Sequence, residues 1–239
     1  MPIPVFEAPS STRLVQFLPM SSLFTLYLLR HGQTAFSRDN AFCGAGLDPE
    51  LTPDGTAMAQ CFAEKYAQTA WQAVYCSPLQ RARATAQPLC ERLGLTPQVR
   101  DGLKEISYGA WEGQTVETVS RDYHDDHLRW TADPAWNAPT SSERETGENA
   151  TVIARRALQV VEEIRASHAS GNVLVVSHKA TIRIILCSLL GIDVGRFRFR
   201  LDCPTASLSI VEFQSHGPML RVLADRRHLD ERLVELPGT

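Results

Sequence analysis

The chain has 239 residues, 44% of them hydrophobic, and a formal net charge of −3 at pH 7. That is enough apolar material for one full core in a large domain, and the weakly acidic balance excludes the broad basic field that non-specific nucleic-acid binding requires. No run reaches the ~18 consecutive apolar residues of a membrane span. The six cysteines (43, 61, 76, 90, 187 and 203) are scattered without a CxxC pair, a pattern of free thiols in a reducing, cytoplasmic setting rather than a disulfide framework.

Residues 1–22 are rich in proline and serine and lack the basic start and apolar centre of a secretory signal. They read as an N-terminal extension, with Met20 as an alternative start, which leaves 23–239 as a single domain. Phe24-Thr25-Leu26-Tyr27-Leu28-Leu29 has the length and composition of a buried strand and closes on Arg30-His31-Gly32. Thr52-Pro53-Asp54-Gly55 opens a helix, Thr52 as cap and Pro53 at its first position, that runs to about residue 69. A strand over 73–76 follows, then a helix capped by Ser77 that runs to about Leu93 and stops at Gly94.

A short strand at Gln98-Val99 leads into a long excursion, 101–145, with one or two helices around Val116 to Trp130 and irregular chain after them. Its part from about 106 to 147 reads as an insertion or lid over one end of a sheet. Residues 148–167 form the clearest amphipathic helix, with Ile153, Ala157, Val160, Val161 and Ile164 inward. The uninterrupted apolar run 172–176 is typical of a parallel strand buried on both faces, and it ends on Ser177-His178. A helix from Lys179 to about Leu190 comes next, and strands at 207–213 and 219–224 read as short and edge-like. Alternating strands and helices predict an α/β fold, a three-layer α/β/α sandwich around a mainly parallel sheet.

Two of these strands end in histidine, His31 and His178, and a third leads to Arg81 in the first turn of a helix, whose N-terminus attracts anions. If the three strands are parallel, Arg30, His31, Arg81 and His178 share one rim, where ligands bind in open α/β sheets. Two guanidinium forks and two imidazoles match a phosphate dianion, which needs both neutralising charge and directional donors. Taken singly, Arg81 could be a solvated helix arginine and His178 a core histidine. Transfer of a phosphoryl group to histidine also needs a proton donor for the departing oxygen. Glu105, ahead of a glycine- and aromatic-rich loop that can desolvate it, is the candidate, with Glu112 as competitor.

The segments LLRHGQT, LTPDG, SPLQRARATA, LKEISYGAWEG, the Glu145-Thr146-Gly147-Glu148 helix start and VLVVSH occur in the order and approximate spacing of the histidine phosphatase superfamily, the phosphoglycerate mutase-like fold, which the chain resembles from about Phe24 to Ala224. The resemblance implies that His31 is phosphorylated, that Arg30, Arg81 and His178 hold phosphate, and that Glu105 is the proton donor. It further implies phosphate or substrate contacts from Gly32, Thr34, Ser37, Cys43, Gly44, Tyr108 and Lys179, with no metal and no cofactor. Three positions depart from the family's pattern. Ser37 stands where asparagine is usual, Cys43 occupies a turn where polar residues are common, and Lys179 follows the second histidine where glycine is usual. A lysine there adds charge beside the phosphate or faces the substrate's own acidic group.

The expected activity is hydrolysis of a small phosphorylated metabolite, with a homodimer left open. The family's mutases carry a longer insertion after the acid-bearing loop, whereas 113–147 looks like the shorter cover of the phosphatases. A phosphoglycerate mutase and a non-catalytic phosphate-binding module are the alternatives. A metallohydrolase built on His124-Asp125-Asp126-His127 is a further one, set against a solvated polar face.

Overall fold

In the computed structural model, which describes residues 23–139 and 147–238, the strands are β1 (Phe24–Arg30), β2 (Trp71–Cys76), β3 (Gln98–Val99), β4 (Gly171–Ser177), β5 (Leu208–Gln214) and β6 (Gly217–Asp225). They form one sheet in the order β3-β2-β4-β1-β5-β6. β1, β2, β3 and β4 run parallel, and β5 and β6 are antiparallel additions beside β1. The expected N-terminal extension, and Glu145-Thr146 of the helix start, lie outside the described residues.

The helices are α1 (Ala35–Arg38), α2 (Pro53–Tyr66), α3 (Gln80–Leu93), α4 (Val116–Asp122), α5 (His124–Ala132), α6 (Ala150–Ser167), α7 (Lys179–Leu190), α8 (Phe197–Arg200) and α9 (Glu231–Val234). Alternation along β4 explains the layers, because successive side chains of a strand point to opposite faces. Val173 and Val175 pack with Ile153, Ala157, Ile164 and Ile184 of α6 and α7. Leu174 and Val176 pack on the other face with Phe62, Ala82, Ala86 and Leu89 of α2 and α3. A strand buried on both faces needs apolar residues without a break, which is why the 172–176 run contains no polar alternation. The expected three-layer α/β/α architecture is the one observed.

Several expectations shift. β5 is an interior strand, hydrogen-bonded to β1 and β6, and only β6 has the partial exposure of an edge. α3 begins at Gln80, after Ser77-Pro78, and the Ser77 hydroxyl, which accepts from Leu79 N (3.3 Å) and faces His178 Nε2, does not cap it. α2 ends at Tyr66, and α6 starts at Ala150 with Asn149 accepting the Val152 N–H. The four-residue helices α1, α8 and α9 are too short to show a 3.6-residue period in the sequence.

Residues 106–138 build their own small core beside the sheet end, in which Phe42, Trp111, Val119, Trp130 and Ala138 are buried together. The turn after β1 is locked to α2 by a contact between two glycines. A Cβ on Gly32 would run into the Gly55 carbonyl, and one on Gly55 into the Gln33 backbone. The glycine of Thr-Pro-Asp-Gly is therefore required by close approach, not by the turn conformation.

Candidate active site

The carboxyl ends of β1, β2 and β4 are level to within a residue, since Arg30 pairs with Ser177 and Cys76 with Val176. The ladder continues one residue further, His31 N–H donating to Ser177 O (3.0 Å) and Ser77 N–H to Val176 O (3.0 Å). The chains then diverge, which leaves the His31 and His178 rings side by side with centroids 5.1 Å apart. Both imidazoles are buried.

The His31 ring is fixed by a bond between Nδ1 and the Gly32 carbonyl (2.8 Å). A carbonyl only accepts, so Nδ1 carries the proton and Nε2 holds the lone pair. Burial, then the charges of Arg81 and Arg30, hold His31 well below the usual imidazole range. The ring is neutral, with Nε2 unprotonated, well into mild acid. His178 accepts from Arg81 Nε at its Nδ1 (3.2 Å), which puts its proton on Nε2, 2.7 Å from Ser77 Oγ. Burial and the neighbouring Arg81 likewise keep it neutral.

Arg81 is buried at the first turn of α3, and its two Nη groups donate to the Leu47 (2.8 Å) and Gly44 (3.0 Å) carbonyls. The guanidinium thus lies between the 44–47 loop and the histidine pair. Arg30 extends to the opposite side, where Nη1 donates to Cys203 O (2.7 Å) and Gly238 O (3.1 Å). The same turn is tied to the chain's last described residues by Gln33 Nε2, which donates to Pro237 O (2.6 Å).

Glu105 is buried against the N-terminus of α7. Its Oε1 accepts from Ile106 N (2.9 Å), Thr181 N (3.2 Å) and Thr181 Oγ1 (3.2 Å), and its Oε2 accepts from Ala180 N (3.0 Å). The competitor Glu112 is engaged elsewhere: its Oε1 accepts from Tyr108 N (3.1 Å) and Gly46 N (3.3 Å), stitching two loops together. Of the two carboxylates, Glu105 faces the cavity that also exposes Arg30 and His31.

That cavity, about 330 Å³, takes in most of the secondary candidates: Thr34, Ser37, Cys43, Tyr108 and Lys179 all line it. Their chemistry differs from expectation at several points. The Ser37 hydroxyl is absorbed in the α1 capping box, accepting from Thr34 N (2.9 Å) and donating to Thr34 O (3.0 Å), so it is not a free donor toward a ligand. The Gly32 N–H goes to Thr85 Oγ1 (3.0 Å), and Gly44 offers its carbonyl to Arg81. Cys43 has its thiol pushed up to about 11 by burial and is uncharged. Burial pushes Lys179 down to about 7, with Arg30 and Arg183 adding repulsion.

His124 is exposed, whereas His127 leaves the solvated face that its sequence suggested: its ring stacks on Trp130 (5.9 Å, 22°) in the cavity wall. Trp130 lines the cavity, and Trp136 packs behind it beneath Arg129. Among the described residues, no group of three or more His, Cys, Asp or Glu is placed to hold a metal ion, and no helix is long and apolar enough to cross a membrane. Sequence reasoning missed Arg183 and Arg198, both in the cavity wall. A signal for Arg183 existed: it follows Lys179 by four residues on α7 and so shares its face. Arg198 sits in Arg-Phe-Arg-Phe-Arg, which has no motif to flag it.

A family model described as the histidine phosphatase superfamily (branch 1) matches residues 26–226. Phosphoserine phosphatase 1 of Hydrogenobacter thermophilus is 31% identical over 210 residues, 88% of this chain and 96% of that protein. Glucosyl-3-phosphoglycerate phosphatase of Mycobacterium tuberculosis is 31% identical over 180 residues, 72% of this chain and 78% of that protein. The structure of the mycobacterial glucosyl-3-phosphoglycerate phosphatase with inorganic phosphate superposes with a TM-score of 0.73 at 28% identity, covering 86% of this chain and 99% of that one.

Proposed function

The chain belongs to the histidine phosphatase superfamily and is a phosphatase, and from that premise we propose that it hydrolyses small phosphomonoesters by way of a phosphohistidine on His31, without a metal ion. The observation that carries the reading is the hydrogen bond from His31 Nδ1 to the Gly32 carbonyl. It leaves Nε2 as the unprotonated nitrogen of a buried ring in the cavity wall, beside His178 and two arginines.

In the first step Nε2 attacks phosphorus and the P–O ester bond breaks. The leaving oxygen takes a proton from Glu105, whose Oε2, with one hydrogen bond against three on Oε1, has room to carry it. Arg30, Arg81 and His178 stabilise the charge on the non-bridging oxygens, work that other phosphoryl-transfer sites give to metal ions. In the second step water attacks the phosphohistidine, Glu105 takes a proton from it, the N–P bond breaks, and inorganic phosphate leaves with His31 restored. The named relatives act on phosphoserine and on glucosyl-3-phosphoglycerate, which supports a small phosphorylated metabolite as the substrate.

The experiment is a rapid quench with a 32P-labelled ester. Label should appear on the protein in an acid-labile, base-stable form and be absent from His31→Ala. Turnover with no such intermediate, or turnover surviving in His31→Ala, refutes the reading. Activity in the presence of a chelator tests the metal-independent part.

A further inference from the structure

Arg30 and His31 line the cavity, with His178 and Arg81 buried beside them, and its wall carries further positive charge. Lys179 and Arg183 project from one face of α7, and Arg198 comes from α8. This arrangement works against the stability of the protein alone. Lys179 is the first residue of α7, where the helix dipole disfavours a cation, and it repels Arg183 four residues on. Arg183 is 11% exposed, and its ion-pair partner among the described residues is Asp202 at 3.5 Å, which is 74% exposed to solvent. The guanidinium of Arg198 is stacked 3.2 Å from the Trp130 ring centroid and 4.2 Å from that of Phe197, with Nη1 donating only to Trp130 O (3.3 Å).

Among the described residues, the buried Nε–H groups of Arg183 and Arg198 meet no acceptor, and Lys179 makes no ion pair. The one carboxylate among the described residues of the cavity wall, Glu105, is already engaged at the start of α7. Buried cations and unmet donors are costly unless something anionic faces them. A wall that breaks local rules in this concerted way marks a place where the ligand completes the structure.

We propose that Lys179, Arg183 and Arg198 form a second anion subsite, so that the substrate is a phosphomonoester carrying another acidic group, carboxylate or phosphate, on the same molecule. The inference rests on the phosphatase reading above and narrows it. The subsite is walled by Phe42, Trp130 and Phe197, so the body joining the two anions lies against apolar and aromatic surface. The cavity volume limits that body to a small molecule. Lys179, unusual beside the second histidine, feels the charges of both Arg30 and Arg183 and so joins the subsite to the phosphate groups.

The test compares matched esters that differ only in the second charge, at two spacings: 3-phosphoglycerate against its carboxamide, and 4-carboxyphenyl phosphate against 4-carbamoylphenyl phosphate. The wild-type protein should prefer the acid of at least one pair by about tenfold or more in kcat/KM, the range of one charge-assisted contact. Arg183→Met and Arg198→Met, on different elements, should each reduce that preference to about threefold or less. Bisphosphorylated and carboxylated esters of equal length then tell which acid is taken. Equal rates for acid and amide in both pairs overturn the subsite while leaving the phosphatase reading intact, and so does a preference untouched by either substitution. Failure to turn over any of the four esters refutes the phosphatase reading, and the subsite falls with it.

Discussion

The inner end of the cavity and its outer wall treat their polar groups in opposite ways. At the inner end His31 Nδ1, both nitrogens of His178 and both oxygens of Glu105 have protein partners within 3.2 Å. On the outer wall the Nε–H groups of Arg183 and Arg198 are buried without an acceptor among the described residues, and the charges of Arg183 and of Arg30 act against the Lys179 proton. The first region is preorganised by the protein itself, which suits a reaction whose barrier is lowered by fixed dipoles and oriented groups. The second leaves its electrostatics to be completed by what binds, which suits discrimination between substrates. Chemistry and selectivity are thus built in different ways within one pocket.

Substitutions can break this division, and the largest effect belongs to the inner end. His31→Ala should lower kcat by about a thousandfold or more toward every ester alike, because it removes the proposed nucleophile. Glu105→Gln should cost about a hundredfold or more, and the loss should steepen with the basicity of the leaving group, read as a Brønsted slope across substituted phenyl phosphates. A slope equal to that of the wild type would remove Glu105 from the role of acid. Ser77→Ala takes away the oxygen facing His178 Nε2. It should cost about tenfold in kcat, with KM changing less, since the neutral ring would lose its orientation while keeping its place beside His31.

The smallest effect sharpens the outer wall. Lys179 is charged below about pH 7 and neutral above it. The groups facing it are Arg30 and Arg183, which disfavour its proton, and Asp202 and Cys203, which favour it. The preference for a doubly acidic ester should therefore decline severalfold as pH rises from 6 to 8. In Lys179→Met the ratio of the two kcat/KM values should stay flat over that interval. His31, already neutral across it, contributes equally to both esters and cancels from the ratio.

The inner end was legible in the sequence because its residues sit at the ends of apolar runs. Arg30, His31 and His178 follow strands that can be read from hydrophobicity alone, and parallel pairing then places them together. Glu105 could be put first but Glu112 not eliminated, because the choice depends on which carboxylate reaches α7. Ser77 was misread as a cap, since its partner lies 101 residues away and no local pattern records such a bond. The outer wall was nearly silent. An arginine amid the apolar residues of α7 looks like any helix arginine, and Arg198 is brought to the cavity by a four-residue helix without a recognisable period. Satisfied local geometry leaves traces in a sequence, whereas a convergence of side chains from separate elements does not.

The clasp that closes the β1 turn has a consequence for how the protein is made. Arg30 is bound by the carbonyl of Gly238, 208 positions further on, and Gln33 by that of Pro237. A ribosome adding about 5–20 residues per second exposes the nucleophile's loop many seconds before those carbonyls emerge. The nascent sheet gains the last of its six strands only at position 225, and even then the β1 turn lacks that brace. A premature stop between positions 225 and 237 would leave the six strands of the sheet with the turn in that same state.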